Sequence, residues 1–494
     1  MPSVILFRPA YDRRSRSAPV FPWALLYLAS VLRERGVEVH ILDEAVTPDY
    51  PQTLDGLLEQ TQPVTVGISS MTGDQIRHGL EFARRVRAKS TAAIVWGGIH
   101  PSLLPEQTAR HPLVDYAVAG EGEYALAELV DRLAAGKDPA QIPGVYGRDG
   151  GSRRSDFIDL AQLPEIPYDL VDVEKYVCAR PDIGARRYFE ICTSRGCPHH
   201  CGFCYIESVH GSRWRALDAA QALEKIRALV ERFNLDCVSF REDNFFVNHG
   251  RVEAIARGLV EQGPGIKWAA SCRINYFDKY DDAFVDLLKR SGCALLTFGV
   301  ESGNDRVLEF IRKGITVEAV LNVARRVQAA GIRGTYHFMG GFPSETPGEF
   351  IDTCKLIDRL RRLGPDVVVR EMSIFAPYPG VGLIPECVSR GHAEPADLEG
   401  WIEMDWTNPQ RPWLTARQSQ LISDAQFLIA RLAHPNALVR TWANARWAQL
   451  LERGPRMRLP ERPAVELLRR LTRKKGVLPL FPNLPCWKPR DTQK

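Results

Sequence analysis

Cysteine is scarce in this chain, 11 residues in 494, and net charge is scarcer still, with 64 Lys+Arg against 60 Asp+Glu for a formal +4. So even a balance gives no strong signal of nucleic-acid binding, and no nucleic-acid partner is expected. Long hydrophobic runs are missing too. The longest, FPWALLYLASVL at 21–32, falls short of the roughly 20 apolar residues that span a bilayer. The N-terminal MPSVILFRPAYDRR puts its apolar run before its arginines, the reverse of a secretory leader. A cytoplasmic protein without a transmembrane segment is therefore expected. In that compartment an odd number of scattered cysteines argues against a disulfide framework. Cys237, Cys272, Cys293 and Cys354 sit singly in apolar segments and read as small buried hydrophobes, as does Cys192 in its strand-like run.

What remains is ordinary for a globular protein, 45% hydrophobic and 25% charged residues, over a length that allows about three domains. Up to residue 140, continuous apolar runs alternate with helical patterns: VILF (4–7), VEVHIL (37–42), VTVGIS (64–69), AAIVWGG (92–98) and YAVAG (116–120). Such runs predict parallel strands covered on both faces, a doubly wound, Rossmann-like α/β domain that binds ligands at the carboxyl ends of its strands. Those ends carry SSMTGD, GGIHPSLLPEQ and GEGE. The first loop lacks G-x-G-x-x-G, so a dinucleotide fingerprint is excluded and Asp43 reads as a turn residue.

Residues 141–187, rich in Gly, Pro and Asp, read as a linker or hairpin excursion. A second α/β series over 188–394 starts at YFEIC (188–192) and continues with CVSF (237–240), IKWAAS (266–271), LLTFGV (295–300), TYHFMG (335–340) and VVVREMSIF (367–375). Six strand–helix repeats predict a partial (βα)6 barrel with its chemistry at the C-terminal face. The last region, 395–494, is helical in pattern and carries six of the ten tryptophans, among them Trp401, Trp406, Trp413, Trp442 and Trp447. They read as core and domain-contact residues, and LLRRLTRKKG (467–476) as a solvated basic helix face.

CTSRGCPHHCGFCY (192–205) packs Cys197, Cys201 and Cys204 into eight positions, on the loop after the first barrel strand. Structural zinc wants four ligands, so His199 or His200 would have to complete a Cys3His set. Iron–sulfur clusters are likewise usually held by four cysteines. Three would leave one iron of a 4Fe–4S cluster open, and an open metal position is a place for chemistry.

C-x-x-x-C-x-x-C with Phe203 before its last cysteine resembles the signature of radical S-adenosylmethionine enzymes, in which the open iron chelates S-adenosylmethionine. The resemblance implies cofactor-facing groups at successive strand ends: Glu242 and Asp243 in FREDNFFVN, Ser271 and Arg273 in SCRINYFD, Glu301 in FGVESGND, and Gly340 and Gly341 in FMGGFPSET. With WGGIHPSLLPEQ and AGEGE, the N-terminal region is similar to the cobalamin-binding class of that family. This implies that Ser69, Ser70, Met71, Thr72, Gly97, Gly98, Gly120 and Glu121 line the corrin site. The cobalt-binding motif D-x-H-x-x-G is not reproduced by His78 or His100; many members of the class lack it. The activity implied is methylation of an unactivated carbon, or of phosphorus, through a 5′-deoxyadenosyl radical and methylcobalamin, with an external flavodoxin- or ferredoxin-like electron donor. Small-molecule, lipid and peptide substrates are all compatible. Cyclisation, ring rearrangement or oxidation with the same cofactors, and a non-catalytic corrinoid or metal carrier, are the alternatives.

Overall fold

The computed structural model describes residues 1–11, 19–139, 141–154, 156–370, 372–404 and 411–454. Trp406, Trp487 and the basic stretch 467–476 lie outside the described residues.

The apolar runs of the first region form a parallel sheet. β1 (Ser3–Arg8), β2 (Glu38–Asp43), β3 (Thr65–Ser69), β4 (Ala93–Gly97) and β5 (Tyr116–Val118) lie in the order β2-β1-β3-β4-β5. Their central residues are mostly apolar because both faces of the sheet are covered. Ile5, Phe7, Ile68 and Trp96 face one core with the helix Asp74–Lys89, while Val4, Leu6, Val95 and Val118 face another with the helices Trp23–Glu34 and Glu123–Ala134. Strand order reverses between β1 and β3, so a ligand crevice opens at their carboxyl ends.

The segment read as a linker contributes to both sheets. β6 (Val145–Gly147) and β7 (Gly150–Gly151) form a hairpin antiparallel to β5, and β8 (Cys178–Arg180) adds an antiparallel edge to the second sheet. Strands of two or three residues are too short to show a period, which is why only their turn residues were legible.

In the second region β9 (Ala185–Ile191) is followed by a two-stranded ladder of β10 (Ser194–Arg195) and β11 (Arg215–Ala216). β12 (Cys237–Phe240), β13 (Lys267–Ser271), β14 (Cys293–Glu301), β15 (Arg333–Gly340), β16 (Val367–Val369) and β17 (Ser373–Ile374) complete the series. The sheet runs β16-β15-β14-β13-β12-β9-β8, with β17 also on β15. Side chains alternate across it. Phe189, Val238, Trp268 and Leu296 enter the helix-covered core, while Tyr188, Cys237, Ala269 and Leu295 pack together with Ile183 and Ala185. The expected single sixth strand is split: β16 pairs with Gly334–Tyr336 and β17 with Met339–Gly340.

Beyond the barrel, a short 3-10 helix, Glu399–Glu403, returns to the first domain, where Leu398, Trp401 and Met404 join the core beside the helix Asp74–Lys89. The helices Ala416–Ile429 and Ala437–Arg453 pack on the barrel core through Ile422, Leu428, Trp447 and Leu450. That same core takes in Phe21, Trp23, Leu26 and Tyr27 of the first domain, so apolar packing is continuous across the domain junction.

Candidate active site

The three-cysteine loop is closed at its base by the β10–β11 ladder, with Arg195 opposite Arg215. Gly196 makes the turn into it at φ +84; a Cβ there would lie 2.0 Å from the Arg213 carbonyl oxygen, so no other residue fits. The middle of the loop is anchored by its backbone: Gly202 N–H donates to the Ile311 carbonyl at 2.8 Å, and Leu383 N–H to that of Gly202 at 2.9 Å. Cys201 is buried, and Cys197 and Cys204 are half-buried. Burial, with help from its neighbouring thiols, pushes the Cys204 thiol up to about 11, so metal binding there would displace a proton. Asn244 donates to Cys197 Sγ at 3.5 Å and Arg273 to Cys201 Sγ at 3.2 Å.

His199 Nε2 pairs with Tyr276 Oη at 2.6 Å, and exposed His200 pairs with Glu207 at 2.7 Å. Burial, with the Arg273 and Lys313 charges, lowers His199 to about 4, which keeps its ring neutral beside the tyrosine hydroxyl. With both histidines so engaged, the donors left on the loop are three thiols. That set fits a 4Fe–4S cluster with one iron unligated by protein.

The strand ends converge on this loop. Glu242, after β12, accepts from Thr193 N at 2.6 Å and Thr193 Oγ1 at 2.5 Å, and also from Ser194 Oγ; Asp243 accepts from Gly196 N at 2.8 Å. Both carboxylates thus brace the loop base. Ser271 is exposed at the end of β13. Glu301, ending β14 in a left-handed conformation (φ +72) that is rare for such a residue, is buried with Lys313 at 2.7 Å. Lys313 Nζ also lies 5.3 Å from the Phe203 ring centre, and its carbonyl accepts from Arg273. At the end of β15, Gly340 is closed over by Phe350. Gly341 is held by Trp413 Nε1 donating to its carbonyl at 2.9 Å and by its own N–H donating to Glu345 at 2.6 Å.

In the first domain the loops after β3 and β4 touch. Gly98, at φ +95, approaches Ser70 so closely that a Cβ would meet its backbone oxygen at 2.8 Å, and Ser70 N–H donates to the Gly97 carbonyl at 2.9 Å. Met71 N–H donates to Gln75 at 2.9 Å, and Thr72 Oγ1 pairs with His100 Nδ1 at 2.9 Å. Ser69 ends β3 half-buried, and Gly120 N–H donates to Ser102 Oγ at 2.8 Å. His78 lies against the Ala10 carbonyl and Glu44, buried like His100. Asp43 accepts from Arg8, Ala45 N–H and Tyr176, as its turn reading required. Cys192 Sγ donates to the Arg241 carbonyl at 2.9 Å.

Glu121 faces the barrel. Its carboxylate meets Arg215 at 2.8 Å, Arg195 at 3.2 Å and Ile158 N–H at 2.8 Å, and Glu123 holds Arg195 at 2.7 Å. The two ladder arginines thereby tie the loop of the three cysteines to the loop after β5. These arginines, Lys313, Asn244 and the His199–Tyr276 pair escaped the sequence reading. Each acts across elements distant in sequence; local signals were confined to Asn244, beside Glu242 and Asp243, and to Arg195 and His199 within the cysteine motif.

An α/β ligand-binding domain facing a partial barrel whose first-strand loop bears three free cysteines has the make-up of a two-domain iron–sulfur enzyme. The radical SAM superfamily model matches residues 191–357 and the B12 binding domain model residues 13–130. An uncharacterized methyltransferase of Pyrococcus horikoshii is 30% identical over 368 residues, 73% of this chain and 77% of the relative. The cytidylyl-2-hydroxyethylphosphonate methyltransferase of Streptomyces wedmorensis is 26% identical over 452 residues, 80% and 82% of the two chains. Among solved structures, TsrM from Kitasatospora setae, a radical S-adenosylmethionine methyltransferase with cobalamin and a 4Fe–4S cluster bound, superposes with TM-score 0.67 at 17% identity, over 97% of this chain and 100% of that one; at that identity it shows the fold. The chain belongs to the cobalamin-binding, methyltransferase-like family of radical S-adenosylmethionine enzymes.

Proposed function

We propose that this enzyme is a methyltransferase that acts, with a 4Fe–4S cluster, S-adenosylmethionine and cobalamin, on an unactivated carbon or phosphorus of a small-molecule, lipid or peptide substrate. The observation that carries the proposal is the clamp of Arg195 and Arg215 on Glu121 and Glu123, which sets the three-cysteine loop against the B12-type domain. When bound, the cluster supplies an electron, S-adenosylmethionine a carbon radical and cobalamin a transferable methyl group; the polypeptide's task is placement.

Cys197, Cys201 and Cys204 would hold three irons. Arg273, beside Cys201, and the Lys313–Glu301 pair next to Phe203 supply charges for an amino acid's carboxylate and amino groups. Ser271, exposed at the end of β13, would take the nucleoside; the Gly340 carbonyl and both backbone groups of Gly341 are already hydrogen-bonded to Phe375, Trp413 and Glu345. Ser69, Ser70, Met71, Thr72, Gly97, Gly98 and Gly120 line the crevice proposed for the corrin; His78 is held by the Ala10 carbonyl, while His100 is held at Nδ1 by Thr72 and keeps a buried Nε2 without a partner. Glu121 takes the role of domain clamp. Electrons would come from a flavodoxin- or ferredoxin-like donor, and the cytoplasm is the proposed location; no helix among the described residues is long and apolar enough to cross a membrane.

Anaerobically purified chain from cobalamin-fed cells should carry about four iron and one cobalt. Cys201→Ala should keep the cobalt, lose the iron and make no 5′-deoxyadenosine from S-adenosylmethionine and reductant. A variant that still makes it would overturn the proposal.

A further inference from the structure

Arg411 reaches the barrel mouth from the C-terminal region. Its Nε donates to the Phe375 carbonyl at 2.7 Å, and Phe375 follows β17 with its own N–H on the Gly340 carbonyl at 2.9 Å. Aromatic contacts lead on from there to the cysteine loop: Phe375 to Phe342 at 5.4 Å and Phe342 to Phe203 at 6.2 Å between ring centres. Trp413, two residues after the arginine, packs on Phe375 at 6.1 Å and holds Gly341. Arg411 Nη2 is buried and has no hydrogen-bond partner. Among the described residues no carboxylate compensates its charge; the single titratable group acting on it is Tyr378. Of the other cations at the mouth, Lys313 is paired with Glu301 and Arg195 and Arg215 with Glu121, while Arg273 lies on Cys201 Sγ and the Lys313 carbonyl. A buried guanidinium N–H left without an acceptor is costly, and the planar N–H groups of a guanidinium match an oxyanion.

We propose that Arg411 binds an oxyanion of the substrate, a carboxylate or a phosphonate, so that the methyl acceptor is an acid anchored at the ends of the fifth and sixth barrel strands. This rests on the function proposed above. The test uses the full chain loaded with cluster and cobalamin, S-adenosylmethionine present and reductant absent, titrated calorimetrically with methylphosphonate and, separately, acetate. At least one anion should bind about tenfold or more weakly to Arg411→Gln than to wild type, with Arg411→Lys in between and affinity for S-adenosylmethionine and cobalt content unchanged. Equal anion affinity in wild type and Arg411→Gln would overturn the proposal. So would a tenfold loss of S-adenosylmethionine affinity, which would assign the arginine to that cofactor's carboxylate, or a loss of cobalt, which would assign it to the corrin's phosphate. Should Arg411→Gln not fold, Arg411→Lys decides alone: a folded lysine variant with wild-type anion affinity would sink the idea. A wild-type chain that makes no 5′-deoxyadenosine on reduction would refute the function proposal itself, a result separate from the anion titration.

Discussion

Glu345 shows how one buried side chain reports on its surroundings. One carboxylate oxygen accepts from Gly341 N–H, and the other is buried without a partner. Burial pushes this carboxyl up from 4.5 to about 7, with Glu349 adding to the rise and the Gly341 and Phe342 amides and Arg306 opposing it. Because the folded-state value is the higher one, the stability it contributes is present below about 4.5 and is lost as pH rises through about 7. Glu345→Gln keeps an oxygen for Gly341 and cannot ionise. It should match wild type near pH 4.5 and be more stable above neutrality, by up to about 3 kcal/mol, in urea unfolding followed across pH. Equal pH dependence in the two proteins would refute this. The residue was passed over in FMGGFPSET because nothing local says which carboxylate loses its water.

At the scale of elements, the short 3-10 helix Glu399–Glu403 is the clearest case. Residues 395–404 read only as the start of a tryptophan-rich helical region, yet they form a strap across the first domain. Trp401 is 1% exposed, donates to Gln107 at 2.7 Å, and shares a core with Ile76 and Leu80. Arg77 and Arg84 pair with Glu403 and Glu399 at the edge, exposed contacts worth little each. Trp401→Ala should therefore cost about 3–5 kcal/mol through the cavity it leaves. Amide exchange should rise in the helix Asp74–Lys89 more than in the helix Asp282–Arg290 of the barrel. Equal protection of both helices in variant and wild type would show the strap to be idle.

At the scale of the molecule, two domains must hold their ligand sites in a fixed relation, and the junction is built for that. Phe21, Trp23 and Tyr27 share a core with Phe189 and Ile191 of β9, and Arg195 stacks on Tyr27 at 4.5 Å while held by Glu121 and Glu123. Arg195→Ala strands Glu123 in a buried site and should destabilise the chain by about 3–5 kcal/mol. Loss of coupling between the iron–sulfur and corrin halves should appear as two unfolding transitions in calorimetry where wild type should give one. A single transition at the wild-type midpoint would refute the clamp.

Sequence by itself determined the two α/β series and the three-thiol loop. Continuous apolar runs demand cover on both faces, and a cysteine spacing survives any packing because it is covalent. The resemblance to radical S-adenosylmethionine enzymes also marked Glu242, Asp243, Arg273 and Glu301 at strand ends. Only the tertiary structure decided what those groups do to one another: that Glu242 braces Thr193 and Ser194, that Glu301 takes Lys313, that Glu121 belongs to a clamp and that the supposed linker completes both sheets. Each of these is a charge or hydrogen bond between residues far apart in the chain. Its strength depends on distance and burial, which a linear pattern does not contain.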